Sequence, residues 1–133
     1  MSNMLRLLVV EANQRVAEAL EASLPGQGFD LKMASLGHDA LSLCQAAPFD
    51  FILIDDNLPD MSGPSLAGAL RAEKIPSPIL FMTGADSDIP EEYLIRKPFR
   101  PRLLAERIFT ILMEQRRSVA SRTKGWRPIP AVA

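Results

Sequence analysis

FILIDDNLPDMSG, residues 51–63, runs from four apolar residues directly into two carboxylates, an amide and a turn. Phe51–Ile54 shows no alternation of apolar and polar positions. An unbroken apolar run of this length predicts a strand covered on both faces, at the centre of a parallel sheet. On the N-terminal side, Leu5–Val10 (LRLLVV) is a second buried strand, and Phe29–Ala34 (FDLKMA) alternates as a strand nearer the sheet edge does. On the C-terminal side, Pro78–Met82 (PILFM) is a fourth strand and Tyr93–Arg96 (YLIR) a short fifth.

Helical patterns separate these runs. Asn13 can cap a helix in which Val16, Leu20 and Leu24 recur at helical spacing before Pro25-Gly26 stops it. A short helix from about Gly37 to Ala46 ends before Pro48, and Pro64 suits the first turn of a third helix running to about Glu73. Pro101 opens the last helix, with Leu104, Ile108, Ile111 and Leu112 on its apolar face. Alternating strands and helices predict an α/β fold, a doubly wound five-stranded parallel sheet with right-handed crossovers. One interval departs from the pattern. A full crossover with its helix needs about ten to twelve residues, and the gap from Met82 to Tyr93 barely supplies them while containing Gly84 and Pro90. An irregular loop or a single turn is expected there.

The chain has 133 residues, enough for one domain with its own core. Its longest apolar run is far too short for a transmembrane helix, and MSNMLRLLVV lacks the features of a secretory signal. The single cysteine, Cys44, lies in the apolar segment ALSLC and is expected to be a core thiol. These features suit the cytoplasm. Net charge is −1 but uneven: residues 1–113 carry 10 basic and 15 acidic side chains, whereas 114–133 carry five basic and one acidic. The segment 118–133 has no apolar period and contains Trp126 in KGWRPIP, so it is expected to be a basic tail or linker following a domain at 1–117. Nucleic-acid binding is disfavoured by the acidic body.

Ligands of open parallel sheets bind beyond the carboxyl ends of the strands. Four such ends carry polar groups here: Glu11; Asp55 with Asp56 and Asn57; Thr83-Gly84; and Lys97-Pro98. Carboxylates, a hydroxyl and an ammonium on one rim suit phosphoryl transfer. A carboxylate attacking an anionic phosphoryl group needs its charge neutralised, and a lysine and a hydroxyl can hold the phosphoryl oxygens. With no His or Cys cluster, the metal of choice is Mg²⁺. Asp56 should point away from Asp55 into solvent, and His38 should be a surface residue at a helix start.

LLVVE, FDFILIDDNLPDMSG, PILFMTG and RKPF, in this order, resemble the receiver domain of two-component response regulators over about residues 4–116. The resemblance implies a flavodoxin-like sheet of order 2-1-3-4-5, an order for which a family member is a standard illustration. It implies that Asp55 accepts a phosphoryl group from a histidine kinase or histidine phosphotransfer protein, and that Thr83 and Lys97 bind that group. It implies that Glu11, Asp55 and the Asn57 backbone carbonyl hold Mg²⁺, and that the Lys97-Pro98 bond is cis. Such a domain catalyses its own phosphorylation and dephosphorylation but is a switch, not a metabolic enzyme.

Two departures qualify this. The second acidic position of the family is Ala12, whose methyl group cannot ligate, so weak Mg²⁺ binding is expected. The short interval after Thr83 removes most of the family's fourth helix, as in an atypical subgroup with a Phe-Ala-Thr-Gly-like motif, although Met82 replaces the Ala. The alternative is a pseudo-receiver, a phosphorylation-independent interaction module. A hydrolase of the haloacid-dehalogenase type ranks lower, because its Asp-x-Asp pair belongs on the first strand. A homodimer through Ile108, Ile111, Leu112 and Met113 of the last helix is a further expectation.

Overall fold

A computed structural model describes residues 4–84 and 86–121, with backbone alone for 118–121. Five strands form one parallel sheet: β1 (Leu5–Val10), β2 (Phe29–Ala34), β3 (Phe51–Asp55), β4 (Ile79–Thr83) and β5 (Leu94–Arg96), in the order β2-β1-β3-β4-β5. Four helices connect or follow them: α1 (Gln14–Ser23), α2 (Gly37–Ala46), α3 (Gly63–Ala72) and α4 (Pro101–Ser121). This is the expected doubly wound fold and strand order.

The sheet divides the core in two, because successive strand residues face opposite sides. Leu7, Val9, Phe51, Leu53, Leu80 and Met82 pack with Leu20 and Leu24 of the α1 region and with Leu104, Ile108 and Ile111 of α4. Leu8, Val10, Ile52, Ile54, Ile79 and Phe81 pack on the other side with Ala40 and Cys44 of α2 and Leu66, Ala67 and Leu70 of α3. All five residues of β3 are buried, which explains its unbroken apolar run. Cys44 is buried as expected, and burial pushes its thiol up to about 11.

Among the described residues, no helix lies between β4 and β5. A 3₁₀ turn at Glu91–Tyr93 stands there. Tyr93 belongs to this turn, so the fifth strand begins one residue later than its pattern implied. Ile89 and Leu94 enter the core beside Phe81 and cover the sheet where a helix would pack. Arg107 of α4 secures the turn: its guanidinium donates to the carbonyls of Leu94 (2.9 Å), Glu91 (3.1 Å) and Glu92 (3.1 Å). The Leu94 carbonyl is the part-buried one of the three, where an unpaired carbonyl is costly; the Glu91 carbonyl also accepts the Leu94 N–H within the turn, and Glu91 and Glu92 are exposed.

Of the expected dimer face, Ile108 and Ile111 are instead core residues and Leu112 is partly buried, while Met113 is exposed; among the described side chains of α4, Leu103 and Phe109 are the other exposed large apolar ones. Phe109 also stacks on Phe29, with ring centroids 5.3 Å apart. The helix backbone continues to Ser121, past the expected boundary at 117. Trp126 and the rest of the basic tail lie outside the described residues. No described helix is long and apolar enough to cross a membrane.

Candidate functional site

Strand alternation brings three of the expected residues together. Glu11 follows β1 on the side of Leu7 and Val9; Asp55 ends β3 on the side of Phe51 and Leu53; Lys97 follows β5 on the side of Ile95. All three therefore project at the carboxyl end of the sheet toward the face that carries α1 and α4. The Lys97 ammonium lies 2.7 Å from Glu11 Oε1 and 2.7 Å from Asp55 Oδ1. The Lys97-Pro98 peptide is cis, as expected.

Each member is also tied to the backbone. Glu11 Oε2 accepts the Asn13 N–H (3.1 Å), at the residue whose own side chain caps α1. The Asn57 N–H points at Asp55 Oδ2 over a long 3.4 Å. Lys97 N–H donates to the Thr83 carbonyl at 2.7 Å, which fixes the ends of β4 and β5 together. Thr83 itself is buried at the end of β4, next to the strand of Asp55.

One ammonium between two carboxylates leaves the cluster one negative charge in excess. Burial pushes the Asp55 carboxyl above its ordinary range; the hydrogen bond from Lys97 opposes this, and the charge of Glu11 adds to it. For Lys97 burial alone would lower the value, but hydrogen bonds to Asp55 and Glu11 outweigh it and hold the amine up. Lys97 is therefore charged at neutral pH.

The donor chemistry fits a hard cation only with help from water. Glu11, Asp55 and a backbone carbonyl offer oxygen alone, which suits Mg²⁺. Ala12 contributes no donor, and among the described residues no group of three or more acidic, His or Cys side chains is placed to hold a metal. Mg²⁺ retains several waters readily, so two carboxylates and one carbonyl are a workable but sparse set. Asn57 faces Ser62 in a bridge whose flanking bonds run Leu58 N–H to Met61 O (3.0 Å) and Gly63 N–H to Asp56 O (2.8 Å). In such a wide pair the polar backbone groups of Asn57 turn away from its partner, toward the Asp55 side.

Two residues to which the sequence reading gave no role build this loop. Gly63 begins α3 against the end of β3: a Cβ there would lie 2.5 Å from the Asp55 carbonyl oxygen and 2.9 Å from Asp56 Cα. Asp60 accepts hydrogen bonds from Gly37 N–H (2.8 Å) and His38 N–H (3.0 Å), and its Oδ2 lies 2.6 Å from His38 Nδ1. These contacts, the Gly37 amide first, hold the Asp60 carboxyl down at about 2. His38 is exposed at a helix start as expected, yet it is not isolated. A carboxylate three residues before α3 in a Leu-Pro-Asp turn was visible in the sequence, but its partner 23 residues away was not.

The wider likeness agrees with this geometry. The chain is 36% identical over 81 residues to the cell cycle transcriptional regulator CtrA of Caulobacter vibrioides, a match covering 61% of this chain and 35% of that protein. It thus spans about a third of the length of the curated relatives it matches. Among solved structures, a response regulator receiver domain from Methylobacillus flagellatus is 30% identical with a TM-score of 0.73, covering 83% of this chain and 99% of that one. One from Methanospirillum hungatei JF-1 is 24% identical with a TM-score of 0.77, covering 86% and 98%. The family model of the response regulator receiver domain matches residues 7–109, which include Glu11, Asp55, Thr83 and Lys97, and the chain belongs to that family.

Proposed function

We propose that Asp55 accepts a phosphoryl group from a phosphohistidine of a histidine kinase or phosphotransfer protein, and that this switches a protein-interaction surface. The observation that carries the reading is the buried Asp55 carboxylate held 2.7 Å from the Lys97 ammonium at the carboxyl end of the central strand. In the step, an Asp55 oxygen forms a P–O bond while the P–N bond of the donor imidazole breaks, and the leaving nitrogen takes a proton. Lys97 and the Thr83 hydroxyl bind the phosphoryl oxygens. Glu11, Asp55 and the Asn57 carbonyl hold Mg²⁺, which when bound offsets the repulsion between carboxylate and phosphoryl group. Magnesium stands in the active-site cleft of a similar fold, the receiver domain of the sensor histidine kinase PA1611 of Pseudomonas aeruginosa PAO1 (23% identical, TM-score 0.75, covering 83% of this chain and 98% of that one). With Ala12 in place of an acid, binding here is weak.

The protein acts in the cytoplasm as a switch that catalyses only its own phosphorylation and dephosphorylation. Among the described residues no helix lies between β4 and β5, which, with Met82-Thr83-Gly84 before the interval, favours the atypical subgroup with a Phe-Ala-Thr-Gly-like motif. Incubation with acetyl phosphate and MgCl₂ followed by intact mass measurement tests the reading. A single phosphoryl adduct on the wild type, lost in Asp55→Asn, is expected. Ala12 also favours a second reading, an interaction module that works without phosphorylation, and the absence of any adduct at high Mg²⁺ would establish it over the first.

A further inference from the structure

Helix α2 starts without a cap of its own. Its N-cap position is Leu36, in extended conformation and with no side-chain hydrogen bond to the first turn. Free N–H groups at a helix start need an acceptor, and the usual supplier is a Ser, Thr, Asp or Asn at that position. Here the acceptor is Asp60, which takes the Gly37 and His38 N–H groups from across the fold. Asp60 stands at the tip of a tight hairpin, residues 57–62, closed by Leu58 N–H to Met61 O and by Gly63 N–H to Asp56 O. The base of that hairpin presents the Asn57 backbone to Asp55. Beside the cap, Met61 lies over Gly37, where a Cβ would come 2.5 Å from Met61 Sδ. The hairpin is therefore fixed at both ends, to β3 at its base and to α2 at its tip.

We infer that Asp60 is a positioning residue for phosphoryl transfer: by capping α2 it sets where the Asn57 backbone stands against Asp55. This deepens the reading of Asp55 as phospho-acceptor and rests on it. Asp60 touches neither Asp55 nor the incoming group. Its effect passes through the hairpin, and a displacement on the order of 1 Å at a reacting centre is enough to cost up to about a hundredfold in rate. Capping is reciprocal, so anything that pulls the first turn of α2 also pulls the hairpin.

The test separates positioning from helix stability. Phosphoryl uptake from acetyl phosphate is followed by intact mass at saturating MgCl₂ in wild type, Asp60→Ala, Asp60→Asn and Asp60→Ala with Leu36→Ser. The Leu36→Ser change gives α2 a local cap. The expected result is a rate about tenfold lower in Asp60→Ala, a smaller loss in Asp60→Asn, and a double variant that regains thermal stability but not rate. Recovery of rate together with stability, or an Asp60→Ala rate within about twofold of wild type, overturns the inference. Should the wild type take up no phosphoryl group, the acceptor reading fails by itself. Amide hydrogen exchange then reads the hairpin directly. Exchange at Leu58 and Gly63 faster by about tenfold in Asp60→Ala, and not restored by Leu36→Ser, upholds the positioning role. Unchanged protection there removes it. If the double variant does not fold, Asp60→Asn carries the same exchange measurement.

Discussion

The segment leaving β3 and the segment leaving β4 start side by side on the same rim, at Asp55 and Thr83, and are built on opposite plans. The first is a hairpin fixed by its own turn, by Asp60 on α2 and by a glycine with no room for a side chain. The second carries, among the described residues, a 3₁₀ turn in place of a helix, and is held by buried Ile89 and Leu94, by an ion pair between Glu91 and Arg96 and by an arginine reaching from α4. The first is specified by backbone geometry, the second by side chains brought from elsewhere. Constraint on a backbone costs most when a substitution violates it; borrowed side chains lose only what each contributes.

The sharpest way to break the first segment is Gly63→Ala. The added methyl meets the backbone of Asp55 and Asp56, which cannot move without shifting β3, so a loss of about 3 kcal/mol or more is expected in chemical unfolding. A loss under about 1 kcal/mol would mean that the hairpin is softer than its contacts imply. In the second segment, Ile89→Ala empties a site beside Phe81 and Leu94 and should cost about 2–4 kcal/mol. Arg107→Met keeps most of the packing but leaves the part-buried Leu94 carbonyl without its donor, for about 1 kcal/mol, with faster amide exchange confined to residues 89–94. Exchange that spreads over the whole sheet would contradict the idea of a locally borrowed support.

The smallest effect is read in acid. Asp60 sits at about 2 against an ordinary 3.8. A carboxylate lowered on folding adds stability that is fully present above its unfolded value and is lost as pH falls toward the folded one. Wild type should therefore lose stability relative to Asp60→Asn as pH drops from about 4 to about 2, and the two thermal midpoints should run parallel above about pH 5.

The sheet was legible in the sequence because burial on both faces leaves a direct mark. Phe51–Ile54 has no polar residue to spare, and Phe29–Ala34 alternates. The cluster of Glu11, Asp55 and Lys97 was legible too, since each stands where an apolar run ends and a parallel sheet puts those ends on one rim. What stayed hidden were contacts between segments distant along the chain. Nothing in the pattern around Asp60 or Arg107 marks its distant partners, and His38 was expected only as a surface residue, because the pattern around each describes only its own element. Ile108 and Ile111 were read as a possible dimer face for a related reason: helical spacing gives the width of an apolar stripe but not which part of it the core takes.

The support that Arg107 provides also bears on the order in which the chain folds. The turn at Glu91–Tyr93 precedes α4 in sequence; its own backbone bonds are local, Tyr93 N–H to the Pro90 carbonyl (2.9 Å) and Leu94 N–H to the Glu91 carbonyl, but three further bonds come from a side chain of α4. A three-residue turn has no cooperative helix of its own to nucleate. Its full set of contacts is complete only once α4 has docked on the sheet through Leu104, Ile108 and Ile111 and brought Arg107 to it. The region around Ile89 should accordingly be among the last to acquire native contacts, with substitutions there speeding unfolding far more than they slow refolding.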